Sequence, residues 1–411
     1  MRPHPLRQKQ QMTPARKKII ITMTYMHIGG AERSLLGLLH AIDYTQYDVD
    51  LFLFSHEGEF MDMIPPQVNL LPEISAYKSL IQPLSGLKKN SLWLYLVKKL
   101  AILAACIHYK CSGRKPREHG ITQYCESFLL PFLPPINRKS YDLAISFLSY
   151  HNIISDKLSA TCKLGWYHND YHEAHPFLKS DFKTWNRLDG IIHVSENALS
   201  SFVHYHPSLK YKTYVIENIL SANYVRKQAQ IQIKDLHRDQ NQICLLTVGR
   251  LCEQKAYDRA IEACYLLKKE GYNIQWIAIG EGHLEPQLKQ KVSSLGLDGD
   301  FLFLGSKSNP YPYIEWCDIY VQPSNFEGKS VSVREAQILK KAVIVTNYST
   351  AASQIKNGID GIITDMNAEA VAQAITHLIN HPELRENLSS NCAARNYGNE
   401  GEINHIYQMV P

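Results

Sequence analysis

Two carboxylates and a predicted helix start lie close together in the segment Pro323–Lys341, which reads PSNFEGKSVSVREAQILKK. A strand is expected to end before this segment, and a helix to begin near Lys329. Free backbone amides at a helix start, together with the helix dipole, suit a phosphate or sugar hydroxyls. Glu327 precedes those amides and Glu335 lies about two turns into the helix, so the two acids could hold different hydroxyl-bearing parts of one ligand. Taken alone, they could equally be an acid at the helix start and a solvated helix acid.

The tripeptide Gly328-Lys329-Ser330 has a competing interpretation as the end of a phosphate-binding P-loop. In the pattern G-x-x-x-x-G-K-[ST], the first glycine would stand where this chain has Pro323. Proline removes a backbone amide and restricts the loop that must wrap the phosphates. A P-loop-like NTPase that uses Gly328, Lys329 and Ser330 is therefore kept only as an alternative function.

The segment Thr247–Cys264 places two cations after a predicted strand. Arg250 follows Gly249 just past the strand, and Lys255 stands at the start of the next helix. Two cations at the mouth of a cleft suit a departing diphosphate, whose growing charge they can neutralise where no metal does so. An isolated pair of this kind is more often a pair of surface charges.

Gly29 and Gly30 separate the first predicted strand from its helix in MHIGGAERSL. Paired glycines let the chain turn sharply and bring backbone amides close to a ligand, although a tight strand-to-helix turn needs the same residues. The segment lacks the G-x-G-x-x-G spacing, and so does Gly280–Glu285. A nicotinamide-dependent enzyme therefore loses its main support.

The segment Trp166–Pro176, WYHNDYHEAHP, is rich in histidine and acidic residues. It lacks the H-E-x-x-H pattern, and no matching carboxylate cluster occurs elsewhere in the sequence, so we expect a solvated loop and no metal. His168 is the exception, because it directly follows a predicted strand and should therefore point toward the cleft.

Short β-branched runs alternate with amphipathic stretches along most of the chain, which predicts βαβ units and parallel sheets. At 411 residues the chain is long enough for two domains. The predicted fold class is α/β, with two Rossmann-like doubly wound domains facing each other across a cleft. The predicted strands are 17–26, 49–55, 141–148, 162–169, 190–195 and 214–218 in the first half, and 243–250, 274–282, 301–305, 318–324 and 342–347 in the second.

We expect five parts along the chain. A flexible basic tail (1–18) precedes an N-terminal acceptor-binding domain (19–220), which contains a basic amphipathic insert (74–117). A polar linker (221–241) leads to a C-terminal domain (242–395) that binds the sugar nucleotide. The last residues (396–411) are predicted to form a helix that returns to the N-terminal domain.

The insert combines cations with a strongly apolar window. It has no acidic residue and nine Lys or Arg residues, and the formal net charge of the chain is +5. The window Leu92–Ile107 contains Lys98 and Lys99 and is too short and too charged to span a bilayer comfortably, but it can lie on an anionic membrane surface. The alternative is an ordinary buried helix with a solvated basic face.

The nine cysteines are scattered and include no C-x-x-C pair, which favours a reducing compartment. No apolar segment of the kind found in signal peptides follows the basic N-terminus. We therefore expect a cytoplasmic protein, peripheral on the inner face of the cell membrane, with no nucleic-acid partner.

These motifs, taken in order, resemble the family-4 retaining glycosyltransferases of the GT-B fold, especially those that build bacterial capsule, exopolysaccharide or lipopolysaccharide chains. The resemblance extends from Gly29 to about Gly361. It rests on GGAE, HND, VGR with a lysine five residues on, and E-x7-E as Glu327 and Glu335. Two positions depart from the family, since Ala256 stands where glycine is common and Ile219 follows Asn218 in place of glycine.

The resemblance implies a role for each matching residue. Arg250 and Lys255 hold the donor diphosphate, and Glu335 binds the nucleotide ribose. Glu327 holds the hydroxyls of the donor sugar with help from amides after Gly328, and His168 lies beside the reacting face of the sugar. Gly29 and Gly30 close over the phosphates from the other domain, and Gly249, Lys329 and Ser330 complete the expected donor-binding set.

The implied activity is transfer of a hexose, with retention and without a metal or other cofactor, from a nucleotide sugar to a saccharide or lipid-linked saccharide in surface polysaccharide synthesis. UDP-hexose is the preferred donor. No carboxylate is evident in the position of a covalent nucleophile, and the resemblance implies that the leaving phosphate helps to deprotonate the acceptor. A non-catalytic nucleotide-sugar-binding protein of the same fold is the second alternative.

Overall fold

The computed structural model describes residues 16–113, 118–168, 171, 177–236, 239, 241–327 and 329–411. These residues form two sheets in which every strand pairing is parallel. The first sheet has the order β3-β2-β1-β4-β5-β6-β7 and the second has the order β10-β9-β8-β11-β12-β13. The strands are β1 Lys17–Met23, β2 Tyr47–Leu53, β3 Asn69–Leu70, β4 Ser140–Ser146, β5 Ser159–Tyr167, β6 Gly190–His193, β7 Thr213–Val215, β8 Ile243–Val248, β9 Ile274–Ile279, β10 Phe301–Phe303, β11 Ile319–Gln322, β12 Ala342–Thr346 and β13 Ile362–Thr364.

Helices connect the strands, as parallel pairing requires. In the first half they are Gly30–Ala41, Ser75–Ile81, Leu84–Asn90, Leu92–Cys111, Glu118–Leu129, Asn152–Asp156, Leu178–Asn186 and Glu196–Tyr205. In the second half they are Ala222–Ala229, Tyr257–Lys269, Glu285–Ser294, Tyr311–Trp316, Val331–Ile338, Ala351–Gln354, Ala368–Asn380, Pro382–Ala393 and Ile403–Tyr407.

The predicted α/β class with two doubly wound domains is confirmed. Every predicted strand is present, and each ends one to three residues earlier than predicted, because the residues that follow form loops at the carboxyl edge of the sheet. Two short strands, β3 and β13, were not predicted. In both sheets the strand order reverses beside the first strand, at β1 and at β8, and doubly wound sheets bind ligands at such a point.

The strands alternate their side chains between two core layers. In β1, Ile19 and Ile21 pack on one side of the sheet while Ile20 packs on the other. In β8, Leu245 and Leu246 separate in the same way. Each sheet is therefore covered on both faces, which explains why its strands are continuously apolar.

The polar segment 221–241 is more ordered than a simple linker. It contains the helix Ala222–Ala229, whose buried residues Val225 and Ala229 pack into the core of the second sheet. Ser221 accepts a hydrogen bond from the backbone N–H of Tyr224 and caps the start of this helix.

The end of the chain packs against the first sheet. Ile403 and Ile406 join its core, and the ring of Tyr407 stacks on Tyr47 with centroids 4.3 Å apart. Two crossings thus connect the halves, one near Leu220 and one near Asn399. They are joined directly, because the Leu220 N–H donates to Asn399 Oδ1 at 2.8 Å.

The basic tail falls mostly outside the described residues, which begin at Arg16. Lys17 and Lys18, the last two residues of that predicted tail, belong to β1. Arg16 forms an ion pair with Asp48, with Arg16 Nε 3.0 Å from Asp48 Oδ1.

The insert 74–117 forms helices that cover one face of the first sheet, and 114–117 lie outside the described residues. Its long helix, Leu92–Cys111, has twenty residues and is long and apolar enough, by length and composition, to cross a membrane; it is the one described helix of this kind. The prediction that this stretch is too short to span a bilayer is therefore wrong, because the helix continues beyond Ile107 to Cys111.

The long helix presents an unexpected face to solvent. Lys98 is buried, and its ammonium donates to the carbonyl oxygens of Ser79, Leu80 and Gln82 at 2.8, 3.1 and 2.6 Å. An apolar stripe of exposed residues recurs at helical spacing: Leu92, Trp93, Leu96, Leu100, Leu103 and Ile107. Lys99, His108 and Lys110 of the same helix are exposed as well. A buried apolar helix with a solvated basic face would not expose this apolar stripe.

Candidate active site

A buried ion pair lies beyond the carboxyl edge of the second sheet. Lys255 Nζ is 2.6 Å from Glu327 Oε1, and the side chains are 14% and 6% exposed. The same oxygen accepts a hydrogen bond from Ser324 Oγ at 2.6 Å. Lys255 follows β8 and Glu327 follows β11, which are neighbouring strands, so the fold places a cation and a carboxylate together where a ligand can meet both.

The backbone around Lys255 explains how its side chain reaches Glu327. A Cβ at Gly249 would lie 3.0 Å from Lys255 Cε, so glycine leaves room for the lysine stem. The hydroxyl of Tyr257 donates to the Gly249 carbonyl at 2.9 Å and anchors the turn. Ala256 between them is left-handed, with φ 48° and ψ 49°, a conformation that favours glycine. This is the position where the resembling family often has glycine.

Arg250 lies in the same loop after β8. Its side chain is exposed, and in the described part of the chain it forms no ion pair. The guanidinium is therefore available to an anion at the cleft, beside the occupied Lys255.

The start of the helix Val331–Ile338 is already engaged. The Ser330 N–H donates to Gln354 Oε1 at 2.8 Å, and the Lys329 ammonium forms an ion pair with Glu217. Arg334 Nη2 lies 3.1 Å from the other oxygen of Glu217. Burial favours a higher pKa for the Glu217 carboxyl, but these two cations hold that pKa below its usual value. The expected P-loop contacts of Lys329 and Ser330 are thus directed to protein groups, and Gly328 lies outside the described residues.

Glu335 makes a contact across the cleft. Its side chain is 0% exposed, and both carboxylate oxygens lie 3.2 Å from Nη1 of Arg33, a residue of the N-terminal half. The Tyr311 hydroxyl donates to Glu335 Oε1 at 3.0 Å. Burial raises the pKa of the Glu335 carboxyl and Arg33 opposes that rise, while Glu335 raises the pKa of Arg33 against the effect of its burial.

His168 follows β5 at the carboxyl edge of the first sheet. Its ring lies against Phe147, with centroids 4.6 Å apart, and is stacked on Trp166 at 5.8 Å. Burial lowers the pKa of His168 to about 4, against smaller opposing effects of the Phe147 backbone and the Asn218 side chain. The imidazole is therefore neutral near pH 7. The other histidines and acids of the segment, at 170 and 172–175, lie outside the described residues.

The paired glycines differ in their surroundings. A Cβ on Gly29 would overlap the Glu32 carboxylate, whereas a Cβ on Gly30 would meet nothing within 4 Å. Gly30 starts the helix that carries Arg33. Open space at Gly30 leaves room for a ligand beside the first turn of that helix.

The structure thus groups the predicted residues into two sets. Lys255, Glu327 and Arg250 belong to one edge of the second sheet, while Glu335 meets the helix that begins at Gly30. Sequence reasoning missed Arg33, Tyr311 and Glu217, together with Ser324 and Gln322 around Glu327. Arg33 directly follows GGAE, so its place in that motif was the available signal.

Among the described residues, no three or more histidine, cysteine, aspartate or glutamate side chains are grouped so that they could hold a metal ion. Lys255 and Arg250 both lie at the carboxyl edge of the second sheet, where Lys255 is paired with Glu327 and Arg250 is exposed.

Comparison with known proteins identifies the C-terminal half. The family model described as Glycosyl transferases group 1 matches residues 228–395. Residues 228–395 belong to the group 1 glycosyl transferases. This match confirms the family that the motifs resemble, and it contains the segments of Lys255, Glu327 and Glu335.

Two curated proteins that are similar to this chain are named for bacterial polysaccharide biosynthesis. The capsular polysaccharide biosynthesis glycosyltransferase CapM of Staphylococcus aureus is 29% identical over 154 residues, which are 35% of this chain and 38% of CapM. The amylovoran biosynthesis glycosyltransferase AmsK of Erwinia amylovora is 30% identical over 143 residues, 33% of this chain and 35% of AmsK. The chain spans about two-fifths of the length of the curated relatives it matches.

Solved structures resemble the chain over nearly its whole length. Anabaena HepE in complex with UDP-glucose has a TM-score of 0.62 and 17% identity, with 95% of this chain and 98% of HepE covered. Staphylococcus aureus TarM, in a complex that includes UDP, has a TM-score of 0.63 and 14% identity, with 96% and 99% covered. These similarities confirm the predicted GT-B fold.

Proposed function

We propose that this protein transfers a hexose from a nucleotide sugar, with UDP-hexose as the preferred donor, to a saccharide or lipid-linked saccharide in surface polysaccharide synthesis. The observation that carries this proposal is the buried Lys255–Glu327 pair, with exposed Arg250 beside it. A cation pair suits the diphosphate of the donor, and a carboxylate suits the hydroxyls of its sugar. The UDP and UDP-glucose complexes of HepE support the choice of donor.

The proposed roles follow the two sets of residues. Arg250 and Lys255 hold the diphosphate together with Gly249, while Glu327 accepts from sugar hydroxyls with help from Gly328, Lys329 and Ser330. Glu335 binds the ribose hydroxyls, and Gly29 and Gly30 approach the phosphates from the N-terminal domain. Neutral His168 can hydrogen-bond to the sugar without adding charge.

We propose retention of anomeric configuration. The bond between sugar C1 and the diphosphate oxygen breaks, and a bond between C1 and the acceptor oxygen forms on the same face of the sugar. The acceptor proton passes to the leaving phosphate oxygen. Lys255 and Arg250 stabilise the charge that develops on the diphosphate, which is where preorganised cations lower a barrier most.

The first experiment is a thermal-shift screen with UDP-, GDP- and ADP-sugars, because a ligand that binds the folded form raises the melting midpoint. Glu327→Gln and Lys255→Met should each lower turnover by about 10²–10³-fold. Lys268→Met is the matched control, since Lys268 pairs with Asp300 elsewhere in the domain and should keep normal turnover. Normal turnover in Glu327→Gln at saturating donor would refute the assigned role.

We also propose that transfer needs no metal, because Arg250 and Lys255 supply positive charge at the proposed diphosphate site. Turnover should therefore be unchanged after EDTA treatment. Loss of transfer in EDTA, followed by recovery on addition of manganese, would contradict this proposal.

We propose that the apolar stripe of the long helix rests on an anionic membrane at the cytoplasmic face. Phe132, also exposed, lies edge-on to Trp93 with ring centroids 5.6 Å apart and extends the apolar area. Lys88, Lys99 and Lys110 are exposed around it. Each suitably placed cation gains about 1 kcal/mol near anionic lipid, and salt cannot screen the burial of the apolar side chains.

Vesicle sedimentation tests this surface. The protein should bind vesicles that contain anionic lipid more strongly than neutral ones, and the triple variant Trp93→Ser, Leu100→Ser, Leu103→Ser should lose binding. The control replaces two exposed apolar residues elsewhere, Tyr211→Ser and Ile231→Ser, and should bind normally. Equal loss in both variants, or no binding by the unaltered protein, would rule the surface out.

A further inference from the structure

Arg33 forms an ion pair with the carboxylate of Glu335, which is proposed to bind the ribose. Its Nη1 lies 3.2 Å from each oxygen of Glu335, and the Tyr311 hydroxyl contacts one of them at 3.0 Å. The Glu335 side chain is completely buried in this arrangement. A ribose therefore cannot reach the carboxylate while Arg33 remains in place.

The space around the pair is too small for a ligand. Arg33 packs between the rings of Phe60 and Tyr311, with its guanidinium carbon 5.8 and 5.7 Å from their centroids. The cavity beside it, lined also by Tyr224, is no larger than about one water molecule. The two halves of the protein are in direct contact at this point, so a ribose diol can bond to Glu335 only after Arg33 has moved.

We propose that Arg33 is an internal competitor for the ribose site: it holds Glu335 in the nucleotide-free protein and is displaced by a nucleotide with an intact ribose diol. This inference rests on the proposed function. A buried carboxylate that loses its cation is strongly destabilised, and the two hydroxyls of a ribose would satisfy it again.

Displacement also links the two halves of the site. Arg33 stands on the first turn of the helix Gly30–Ala41, so its release frees the helix start that carries Gly30. Nucleotide binding at Glu335 would thus be coupled to movement of the paired glycines. A competitor that must leave lowers the apparent affinity for a nucleotide that bonds to Glu335, by the fraction of protein in which this carboxylate is open.

Calorimetry on the full chain tests the competition. The probes are UDP, GDP and ADP, and then the 2′,3′-dideoxy analogue of whichever binds best. Arg33→Gln should bind the diol nucleotide about fivefold or more tightly than the unaltered protein, the low end of ordinary coupling between sites. Its affinity for the dideoxy nucleotide should not change. In the double variant with Glu335→Gln, the gain should disappear.

Two further variants keep the test decisive. Arg33→Lys retains a positive charge against the buried carboxylate, guards against misfolding, and should show a smaller gain. Glu217→Gln breaks the other cross-cleft ion pairs, to Lys329 and Arg334, and should show no gain that depends on the diol.

The contrary outcomes are distinct. Weaker diol-nucleotide binding by Arg33→Gln would make Arg33 a nucleotide ligand and overturn the inference. Unchanged affinity, or an equal gain for the dideoxy nucleotide, would also overturn it while leaving the proposed function intact. Absence of nucleotide binding in every variant would overturn the proposed function, and this inference with it.

Discussion

His168 shows how burial sets the chemistry of a single residue in the site. Its ring nitrogens are buried beside Phe147 and Trp166, and its pKa is lowered to about 4. A protonated imidazole loses hydration in such a place, so the neutral form is retained. His168 therefore supplies no positive charge near pH 7.

The lowered pKa of His168 predicts a pH-dependent stability. In the unfolded chain the imidazole has its ordinary pKa of 6.5, so it binds a proton at pH values where the folded form does not. The stability from His168 is present above pH 6.5 and is lost as the pH falls toward 4, by about 2 kcal/mol at pH 5.

Urea unfolding at pH 7.5 and pH 5 measures this loss. His168→Gln should lose about 2 kcal/mol less than the unaltered protein between the two pH values. His381→Gln, at an exposed histidine, should not change the difference. If the pH dependence of stability were the same in His168→Gln, folding would not lower the pKa of this imidazole.

Ala256 stores strain next to Lys255. A left-handed conformation at a residue with a Cβ costs about 1–2 kcal/mol, and glycine avoids that cost but loses more chain entropy on folding. Ala256→Gly should therefore raise the free energy of unfolding by up to about 1 kcal/mol. Ala260→Gly, in the interior of the helix Tyr257–Lys269 that follows Ala256, should lower the free energy of unfolding by about 1 kcal/mol or more. If chemical denaturation showed an equal loss in free energy of unfolding for both variants, Ala256 would not be strained.

At the scale of an element, the long helix Leu92–Cys111 combines a structural lysine with an exposed apolar stripe. The Lys98 ammonium satisfies carbonyl groups at the end of the helix Ser75–Ile81, although burial lowers its pKa. Lys99, the next residue, is exposed. The two adjacent lysines thus have different environments, because they project from different sides of one helix.

Lys98→Met should lower the free energy of unfolding by about 1–3 kcal/mol, since it removes the ammonium that donates to the carbonyl oxygens of Ser79, Leu80 and Gln82. Lys99→Met should stay within about 0.5 kcal/mol of the unaltered protein. Urea denaturation measures both values. If the two variants were equally stable, the hydrogen bonds from Lys98 to these carbonyl groups would make no net contribution to the free energy of unfolding. Membrane tests of surface charge should accordingly alter Lys99 and leave Lys98 in place.

At the scale of the whole molecule, close backbone contact joins the two halves. A Cβ on Gly37 would overlap the carbonyl oxygen of Ile219, which lies just before the crossing into the C-terminal half. Asn399, on the returning crossing, accepts from the Leu220 N–H and donates to the Asn218 carbonyl at 3.1 Å. The helix Gly30–Ala41, which carries Arg33, is thereby packed directly on the junction.

Gly37→Ala should lower the free energy of unfolding by about 1–3 kcal/mol, because the added methyl group forces the helix and the crossing apart. Gly86→Ala is the control, since a Cβ there meets nothing within 4 Å and alanine favours a helix. Differential scanning calorimetry should show a lower melting midpoint for the first variant and an equal or higher one for the second. An unchanged melting midpoint in Gly37→Ala would show that the helix and the crossing at Ile219 move apart at no cost in stability.

The sequence by itself determined the α/β class, the two doubly wound domains and the residues near both sheet edges. Buried parallel strands are short apolar runs, and the helices between them have local periodicity, so both are visible without tertiary contacts. The motifs that contain Lys255 and Glu327 come directly after two predicted strands in the sequence. Their proximity could be predicted because the carboxyl ends of β8 and β11 meet at one edge.

Only the tertiary structure decided which partners these residues have. Arg33 and Glu335 are separated by 302 positions, and no local pattern encodes the contact between them. In Leu92–Cys111 apolar residues surround most of the helix, so periodicity could not tell which side packs inward. Packing against neighbouring helices buried Lys98 and left Leu100 and Leu103 exposed, because burial depends on what covers a face as well as on its composition.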